Sequence, residues 1–394
     1  MRARCSRKMV RWLPILKSRF EQSPMRKKIV FTVTNDLTYD QRMHRICTSL
    51  ATEGYDVLLV GRQLPESVPL EGRSYQQVRL QPFFRKGKLF YLEYNIRLLF
   101  YLLRIKWDGV CAIDLDTLAP CFLASKIRKR PCVYDAHEYF SEVPEVQDRP
   151  LTKTVWELLA RTLIPKVRFA YTVGPMLARI LSERYKTEFQ VIRNVPYAVA
   201  EFREPASLPS EPFTILYQGV LNEGRGLEIA IESVAKLSGV KLVIYGEGDL
   251  SEELRELAGR LKLGDKVVFK GKLPPEKLRS ETPKAHVGLN LLEAKSLNYY
   301  YSLANKAFDY IQAGVPSICM DFPEYRELNE KYGVFHLLPE LSVEQLTASI
   351  LELKENREYL GKLRMNCRKA AKDLTWEKEE KKLLTFWQAV FTDG

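Results

Sequence analysis

The Gly-rich segment at residues 219–226 has residue types that suit a phosphate-binding turn. It reads G-V-L-N-E-G-R-G and joins a predicted strand at 213–219 to a predicted helix at 225–238. Such a turn presents unpaired backbone N–H groups and the positive end of a helix dipole, and both attract phosphate. Gly219 and Arg225, a permanently charged forked donor, are the candidate ligand residues. A purely structural β–α turn is an equally good interpretation.

A second segment, residues 298–316, predicts a helix at about 304–313 that starts near the same ligand. Asn305 and Lys306 stand at its N-terminus, and Asp309 lies one turn inside it. A carboxylate at that position can accept two hydrogen bonds from ribose hydroxyls, while the helix start binds phosphate. Asp309 is equally suited to compensate the helix dipole. Together the two segments favour a nucleoside-diphosphate site.

A third turn, Y-G-E-G-D at 245–249, closes a predicted strand at 241–246. Gly246 and Glu247 are therefore further candidates for the same ligand. Taken alone, the segment is slightly more typical of a plain β–α loop.

The first half offers candidates at the ends of two predicted strands. His137 ends one strand, where a parallel sheet points its side chains into the ligand cleft, and Glu138 follows it. A histidine that only caps the strand–loop junction is the alternative. Asn35, Asp40 and Arg42 follow the first strand, and Asp40 is equally suited to cap the next helix.

The elements that position these residues alternate between strand and helix in two blocks. The first block runs from 28–34 to 189–193 and the second from 213–219 to 315–319, and four prolines mark a linker at 196–212. This alternation is typical of doubly wound parallel sheets. We therefore predict an α/β protein with the following parts: a basic extension at 1–24, an N-terminal domain at 25–200, a C-terminal domain at 201–375, and a helix at 376–394 that packs back toward the N-terminal domain.

Positive charge is concentrated in two patches of the first half. The chain has a net charge of +12, but residues 1–200 carry +15 and residues 201–394 carry −3. Within the first half, residues 1–28 carry +9 and residues 73–107 carry +7. This distribution excludes a uniformly basic nucleic-acid coat and favours contact with an anionic membrane surface.

Two segments bear on the membrane, and each has two interpretations. No stretch reaches the ~20 apolar residues that span a bilayer. The apolar segment 89–105 contains Glu93, Arg97 and Arg104. It is either a helix packed on its own domain with one stripe exposed to solvent, or a helix whose basic, aromatic face lies in a membrane interface. The basic N-terminus is either an amphipathic anchor or an extension that precedes an alternative start at Met25.

The cysteines point to a reducing compartment. There are seven, and no C-x-x-C pair occurs. An odd count without metal-ligand spacing argues against a disulfide framework and a zinc site. We therefore expect a cytoplasmic protein.

Several motifs together resemble the retaining family 4 glycosyltransferases of the GT-B fold, over most of residues 28–387. The resemblance implies two Rossmann-like doubly wound domains that face a cleft. The matching motifs are Q-G-V-L-N-E-G-R-G-L-E at 218–228, Y-G-E-G at 245–248, V-F-K-G-K-L at 268–273, N-K-A-F-D-Y-I-Q-A-G-V-P at 305–316, D-Q-R-M-H-R-I at 40–46, Y-D-A-H-E at 134–138 and V-I-R-N-V-P at 191–196.

The resemblance also implies roles for individual residues. Arg225 stands where the family places its diphosphate-binding cation, Asp309 at the second acidic position of the E-x7-E motif, and His137 beside the transferred sugar. His137, Arg225 and Lys306 are thus the candidate catalytic residues. The other candidates are Gly219, Gly246, Glu247, Asn305 and Asp309 for the donor nucleotide, and Asn35, Asp40, Arg42 and Glu138 for the acceptor.

The sequence departs from the family pattern near the sugar. Tyr301 occupies the first acidic position of the E-x7-E motif, and Val220 replaces a cation that many members carry. Ala304 stands where the subgroup with an N-K-x-F-E-Y segment usually has proline. The candidates for the missing sugar-side contacts are Glu293, Asn298, Tyr301 and Lys306.

The resemblance implies transfer of a sugar, of hexosyl type, from a nucleoside-diphosphate sugar to an acceptor hydroxyl, with retention and without metal or cofactor. The Asp114-Leu115-Asp116 spacing is interpreted as a chance match to a metal motif. The basic first domain suggests a lipid-linked or polysaccharide acceptor, hence lipopolysaccharide or surface polysaccharide assembly at the inner face of a membrane. The alternatives are a nucleotide-sugar epimerase of the same fold and a membrane-bound scaffold with a degenerate site.

Overall fold

The computed structural model describes residues 26–392, except 144, 145, 147, 148 and 199–210. The basic extension at 1–24, the alternative start at Met25 and most of the predicted linker at 196–212 therefore lie outside the described residues. The described part contains two parallel sheets, and this confirms the predicted fold class of two Rossmann-like domains.

The first domain is built on a seven-stranded parallel sheet with the order β3-β2-β1-β4-β5-β6-β7. Short runs of buried Val, Ile, Phe and Cys form its central strands, as expected where helices cover both faces of a sheet. The strands are β1 Lys28–Thr32, β2 Asp56–Arg62, β3 Gln76–Leu80, β4 Gly109–Ile113, β5 Cys132–Ala136, β6 Phe169–Thr172 and β7 Phe189–Val191; the helices are Gln41–Thr52, Gly87–Arg104, Leu118–Arg128, Pro150–Leu163 and Pro175–Tyr185.

The second domain is built on a six-stranded parallel sheet with the order β10-β9-β8-β11-β12-β13. In both sheets the strand order reverses beside the first strand, and ligands of such sheets bind at that switch point. The strands are β8 Phe213–Gln218, β9 Val240–Tyr245, β10 Val267–Gly271, β11 Val287–Asn290, β12 Ser317–Met320 and β13 Phe335–Leu338; the helices are Leu227–Ala235, Ser251–Arg260, Pro275–Glu281, Leu297–Tyr300, Asn305–Gln312, Pro323–Tyr332, Val343–Glu355 and Arg357–Ala371.

The last helix, Trp376–Thr392, returns to the first domain. Trp376, Phe386 and Trp387 are buried in the same cluster as Phe31 of β1. The Trp376 indole N–H donates to the Ser49 hydroxyl at 2.9 Å, and the rings of Phe31 and Trp387 meet edge to face. The C-terminal residues thus complete the core of the N-terminal domain.

The sequence analysis missed five elements: the strands β3 and β13 and the helices Pro275–Glu281, Leu297–Tyr300 and Pro323–Tyr332. The edge strand β3 reads Q-Q-V-R-L and has no apolar run, because it is paired on one side only. The strand β13 is four residues long and includes His336. Short or polar edge strands have little periodic pattern in their sequence, so pairing with the neighbouring strand determines whether they form.

Three neighbouring helices of the first domain share an outward apolar face. Their inner sides bury residues in one cluster on one side of the sheet. Their outer sides leave apolar residues 48% to 75% exposed: Leu89, Leu92, Ile96 and Phe100 on the first helix, Leu123 and Ile127 on the second, and Leu151, Val155 and Leu158 on the third. No helix of the described residues is long and apolar enough to cross a membrane.

Candidate active site

A cavity of about 660 Å³ lies between the two domains, beyond the ends of their central strands. A second cavity, of about 560 Å³, shares Gln218, Asn305 and Asp309 with it. Both domains contribute to the lining, so the site exists only where they face each other. The predicted site residues on the first cavity are Asn35, Asp40, Arg42, His137, Glu138, Gly219, Arg225, Asn298, Asn305, Lys306 and Asp309.

The Gly-rich turn presents Arg225 to this cavity. Gly224 takes a φ of 79°, and a Cβ there would lie 2.8 Å from the Tyr299 ring, so only glycine fits without a shift. The guanidinium of Arg225 lies over that ring, 5.0 Å from its centroid. Its Nε is buried and has no hydrogen-bond partner among the described residues. The cation is therefore positioned by stacking and keeps a donor for a ligand.

Lys306 brings a second cation to the same turn. Its Nζ lies 3.8 Å from the centroid of the Tyr217 ring and 3.2 Å from the position of a Cβ on Gly219. Burial, followed by the charge of Arg225, holds the pKa of Lys306 well below its ordinary value. An anion between the two side chains would raise the pKa of Lys306 again, because it would stabilise the charged ammonium.

Asp309 faces both cavities from the helix Asn305–Gln312. Burial raises the pKa of its carboxyl above the ordinary value, although Arg45 and Arg279 oppose the rise. Gln218 Nε2 donates to Asp309 at 3.3 Å, and the Thr282 hydroxyl donates to Gln218 Oε1 at 2.9 Å. This network orients the carboxylate and leaves acceptor capacity toward the cavities.

A buried ion pair organises the first-domain side. Arg42 donates to Asp135 at 3.0 Å and to the Ile192 carbonyl at 2.9 Å, and it is 3% exposed. His137 Nε2 lies 3.0 Å from both Asp135 Oδ2 and Arg42 Nε. Burial and the charge of Arg42 lower the pKa of His137. The carboxylates of Asp135 and then Asp114 outweigh them and raise it to about 9. The Nε2 atom therefore lies between an acceptor, Asp135 Oδ2, and a donor, the Arg42 Nε–H, and the carboxylates of Asp135 and Asp114 favour protonation of the ring.

Asp114 is a site residue that the sequence analysis set aside. It follows β4 with φ 57° and ψ 175°, a region that side-chain-bearing residues rarely adopt. Its Oδ1 accepts from the His137 N–H at 2.8 Å, and its Oδ2 lies 3.8 Å from His137 Nδ1. Burial raises the pKa of Asp114 to about 8 and that of Asp116 to about 6. Asp114 thus lies near Nδ1 of the His137 ring, and Asp135 lies at its Nε2.

The remaining first-domain candidates contact protein groups. Asp40 caps the helix Gln41–Thr52 through Met43 N–H at 3.0 Å, and its other oxygen accepts from Asn35 at 2.7 Å. Glu138 accepts from Asn298 Nδ2 of the other domain at 2.8 Å. Glu138, a candidate for the acceptor, and Asn298, a candidate for the sugar, are therefore in direct contact.

Four other predicted residues do not line the cavity. Gly246 packs directly against the Gly219 backbone, and Glu247 pairs with Arg255. Glu293 pairs with Lys295 at 2.8 Å, and Tyr301 packs against Tyr300. These residues shape the turns behind the cavity. No group of three or more His, Cys, Asp or Glu side chains in the described ranges is arranged to hold a metal ion.

The sequence analysis also missed Arg45, which lines the second cavity from the helix Gln41–Thr52. It donates to Asn194 and stacks on Trp376. Burial, followed by Arg42, lowers the pKa of Arg45 to about 10. The spacing of Asp40, Arg42 and Arg45 on one helix was the available signal, but only the fold shows that they face the cleft.

Two protein-family models match consecutive parts of the chain. The model described as Glycosyltransferase Family 4 matches residues 41–199, and the model described as Glycosyl transferases group 1 matches residues 199–374. The boundary between them falls between the two sheets, so each model corresponds to one domain. The search among curated proteins found no match.

Solved structures share the whole architecture at low identity. Sucrose-phosphate synthase from Thermosynechococcus elongatus superposes with a TM-score of 0.74 at 16% identity, over 94% of this chain and 100% of that one. HepE from Anabaena in complex with UDP gives 0.71 at 15%, over 92% and 100%. WaaG, a glycosyltransferase involved in lipopolysaccharide biosynthesis, gives 0.69 at 15%, over 93% and 100%. At this identity the likeness concerns the fold.

From the carboxylates of Asp135 and Asp114 we predict a raised pKa for His137. In Asp114→Asn we expect the pKa of His137 to fall, because one of the two charges that favour the imidazolium is removed while the Arg42–Asp135 pair remains. Histidine ring signals followed by NMR against pH measure this, with Asp321→Asn in the other domain as the control. An unchanged His137 titration in Asp114→Asn would contradict the assigned electrostatics.

Proposed function

The chain belongs to the GT-B glycosyltransferases of family 4/group 1, and from that premise we propose that it moves a sugar from a nucleoside-diphosphate sugar to an acceptor hydroxyl with retention. The observation that carries the proposal is the meeting of Arg225 and Lys306 at one Gly-rich turn, with Asp309 beside them and His137 across the cleft. HepE, which shares the fold, is described in complex with UDP, and this supports a nucleotide donor.

In the proposed complex the donor spans both cavities. Its diphosphate lies between Arg225 and Lys306, and its ribose hydroxyls donate to Asp309. The nucleoside then extends into the second cavity, between Leu278 of the second domain and Arg45 of the first. Lys306 lies beside Gly219, next to Val220, so it supplies the cation that many family members carry on the turn itself.

The reaction breaks the bond between the anomeric carbon and the diphosphate oxygen and forms a bond to the acceptor oxygen on the same face. The hydroxyl proton passes to the departing diphosphate oxygen. Arg225 and a protonated Lys306 stabilise the charge that develops there, as fixed donors in a site closed to bulk water. The carboxylates of Asp135 and Asp114 raise the pKa of His137, so we assign its ring a hydrogen bond to the sugar rather than general-base catalysis. The proposed chemistry needs neither a metal nor a further cofactor.

The outward apolar face of the first domain supports a membrane-held acceptor. It leaves nine apolar side chains 48% to 75% exposed on three packed helices, and grouped exposed apolar side chains mark sites of protein or membrane contact. At one end, Phe83 is 82% exposed, and Arg85, Lys86 and Lys88 are exposed beside it. Apolar side chains rimmed by cations fit an anionic bilayer interface. We propose that the protein is peripheral at the cytoplasmic face of a membrane and assembles a lipid-linked or surface glycan. WaaG, which shares the fold, is described as involved in lipopolysaccharide biosynthesis, and this supports the glycan part of the proposal.

Replacement of Arg225 tests the transferase. We expect Arg225→Ala to lower turnover by ~10²-fold or more, because one contact to the developing charge is lost. The assay incubates sugar nucleotides with lipid extract and identifies products by mass spectrometry, with Glu223→Gln on the same turn as the control.

The same assay separates the rival functions. Nucleotide release that depends on acceptor supports transfer, an isomerised donor without acceptor indicates an epimerase, and binding without turnover indicates a scaffold. A normal rate for Arg225→Ala would remove that residue from the mechanism.

Donor binding should charge Lys306. Because burial lowers the pKa of Lys306 in the free protein, we expect uptake of protons when a nucleoside diphosphate binds near neutral pH. Calorimetry in buffers of different ionisation enthalpy measures the number of protons. Lys306→Met should lower the uptake relative to wild type, and Lys236→Met, at an exposed surface, should not. Equal uptake in wild type and Lys306→Met would contradict the role.

The membrane face is testable by flotation with vesicles. We expect the full chain and a chain beginning at Met25 to float with anionic vesicles, and Leu92→Glu with Ile96→Glu in the shorter chain to abolish flotation, because the apolar contact becomes charged. Leu351→Glu with Met365→Glu, exposed sites on the second domain, is the control. Flotation of the Leu92/Ile96 variant at the wild-type level would refute the assignment.

A further inference from the structure

A carboxylate of the second domain inserts into the first domain beside the cleft. Glu324 stands in the first turn of the helix Pro323–Tyr332, and it is 1% exposed. Its Oε1 accepts from the backbone N–H of Met176 at 2.9 Å and of Leu177 at 3.1 Å. These N–H groups belong to the first turn of the helix Pro175–Tyr185, so Glu324 caps a helix that belongs to the other domain.

The first domain leaves that helix start open for the carboxylate. The N-cap position is Gly174, which has no side chain to satisfy the first-turn N–H groups. A Cβ at Gly174 would overlap the Glu324 carboxylate. The backbone of Gly174 is extended, with φ −149° and ψ 154°, so alanine is conformationally acceptable there. The glycine therefore makes room for a group of the second domain.

A second contact between the domains lies at the cavity. Asn298 Oδ1 accepts from the Tyr139 N–H at 3.0 Å, and its Nδ2 donates to Glu138. Asn298 is buried, as is Tyr139. Both contacts place hydrogen-bond acceptors of the second domain on backbone donors of the first, which requires one relative position of the domains.

We propose that Glu324 is a positioning residue that holds the two domains closed over the cleft and releases them as its carboxyl ionises. The consequence for catalysis rests on the proposed function, because closure is what brings His137 opposite Arg225 and Lys306. The contact itself does not depend on that function and is measured without turnover.

The surroundings of Glu324 explain why its charge opposes closure. Burial raises the pKa of the Glu324 carboxyl from 4.5 to about 7, although the Leu177 and Met176 N–H groups lower it. The charged groups that act on it are Glu327 on its own helix, which raises the pKa, and Arg193 of the first domain, which lowers it. Its Oε2 is buried without a hydrogen-bond partner among the described residues, so an ionised carboxylate is only half satisfied.

The direction in which pH changes domain closure follows from the pKa of Glu324 in the closed and the open arrangement of the domains. The carboxyl has a higher pKa in the closed state than when water surrounds it, so closing takes up a proton. Closure is then favoured most below the open-state pKa, weakens as the pH rises to about 7, and levels off above that value. For these pKa values the closing constant falls about tenfold between pH 6 and pH 8.

Hydrogen exchange at the Met176 and Leu177 amides tests the proposal in the whole protein. Protection factors, corrected for intrinsic exchange, are measured at pH 6 and pH 8, together with the radius of gyration in solution. We expect wild type to lose about tenfold in protection between the two values. Glu324→Gln, which retains an acceptor without charge, should stay protected and compact at both. Glu324→Ala should be unprotected at both, and Glu330→Gln, at an exposed position of the same helix, should follow wild type.

Gly174→Ala opens the contact from the other side with Glu324 intact. We expect it to lose protection and compactness while its unfolding temperature stays near that of wild type, because the atoms nearest to the added Cβ belong to the other domain's carboxylate. The proposal is overturned if Glu324→Gln keeps the wild-type pH dependence, or if Glu324→Ala and Gly174→Ala remain closed. Failure of glycosyl transfer with intact pH-dependent closure would count against the proposed function alone.

Discussion

The buried ion pair between Arg42 and Asp135 is the interaction around which the first-domain half of the cleft is built. The guanidinium links the helix Gln41–Thr52 to the end of β5 and to the segment after β7. Burying either charge alone would be costly, whereas the paired charges stabilise each other. The orientation of the His137 ring follows from this pair, because its Nε2 lies 3.0 Å from both Asp135 Oδ2 and Arg42 Nε.

The two halves of the cleft have opposite electrostatic character. Charges of the first domain are compensated within the protein, through Asp135, Arg42 and His137. In the second domain, burial and the charge of Arg225 disfavour the protonation of Lys306, and the Nε of Arg225 lacks a hydrogen-bond partner among the described residues. An unfavourable arrangement of this kind is stable only because the rest of the domain fixes it, and an anionic ligand relieves it. Binding energy is thus available from the site's own strain rather than from surface charge, which agrees with the slightly acidic composition of that half.

Much of this organisation was predictable from residue patterns. Apolar runs located the central strands, and the Gly-rich turn and the segment around Lys306 located the donor side. Features that depend on long-range neighbours were not predictable. Asp114 reads as part of a chance Asp-Leu-Asp match, and only its left-handed backbone and its distance to His137 reveal its role. Glu324 reads as an ordinary first-turn acid, because nothing in the local sequence indicates that the helix it caps lies 147 to 148 residues earlier in the chain.

The return of the helix Trp376–Thr392 to the first domain has a consequence for how the chain matures. Trp376, Phe386 and Trp387 fill the core around β1, yet the strands of the second domain all precede them in the chain. The first domain therefore cannot finish its core before the second domain has been synthesised, in contrast to the usual domain-by-domain order. Its apolar face against that helix stays uncovered until then. Completion of one domain thus depends on synthesis of the other, and a chain terminated before Trp376 exposes the surface that quality-control chaperones and proteases recognise.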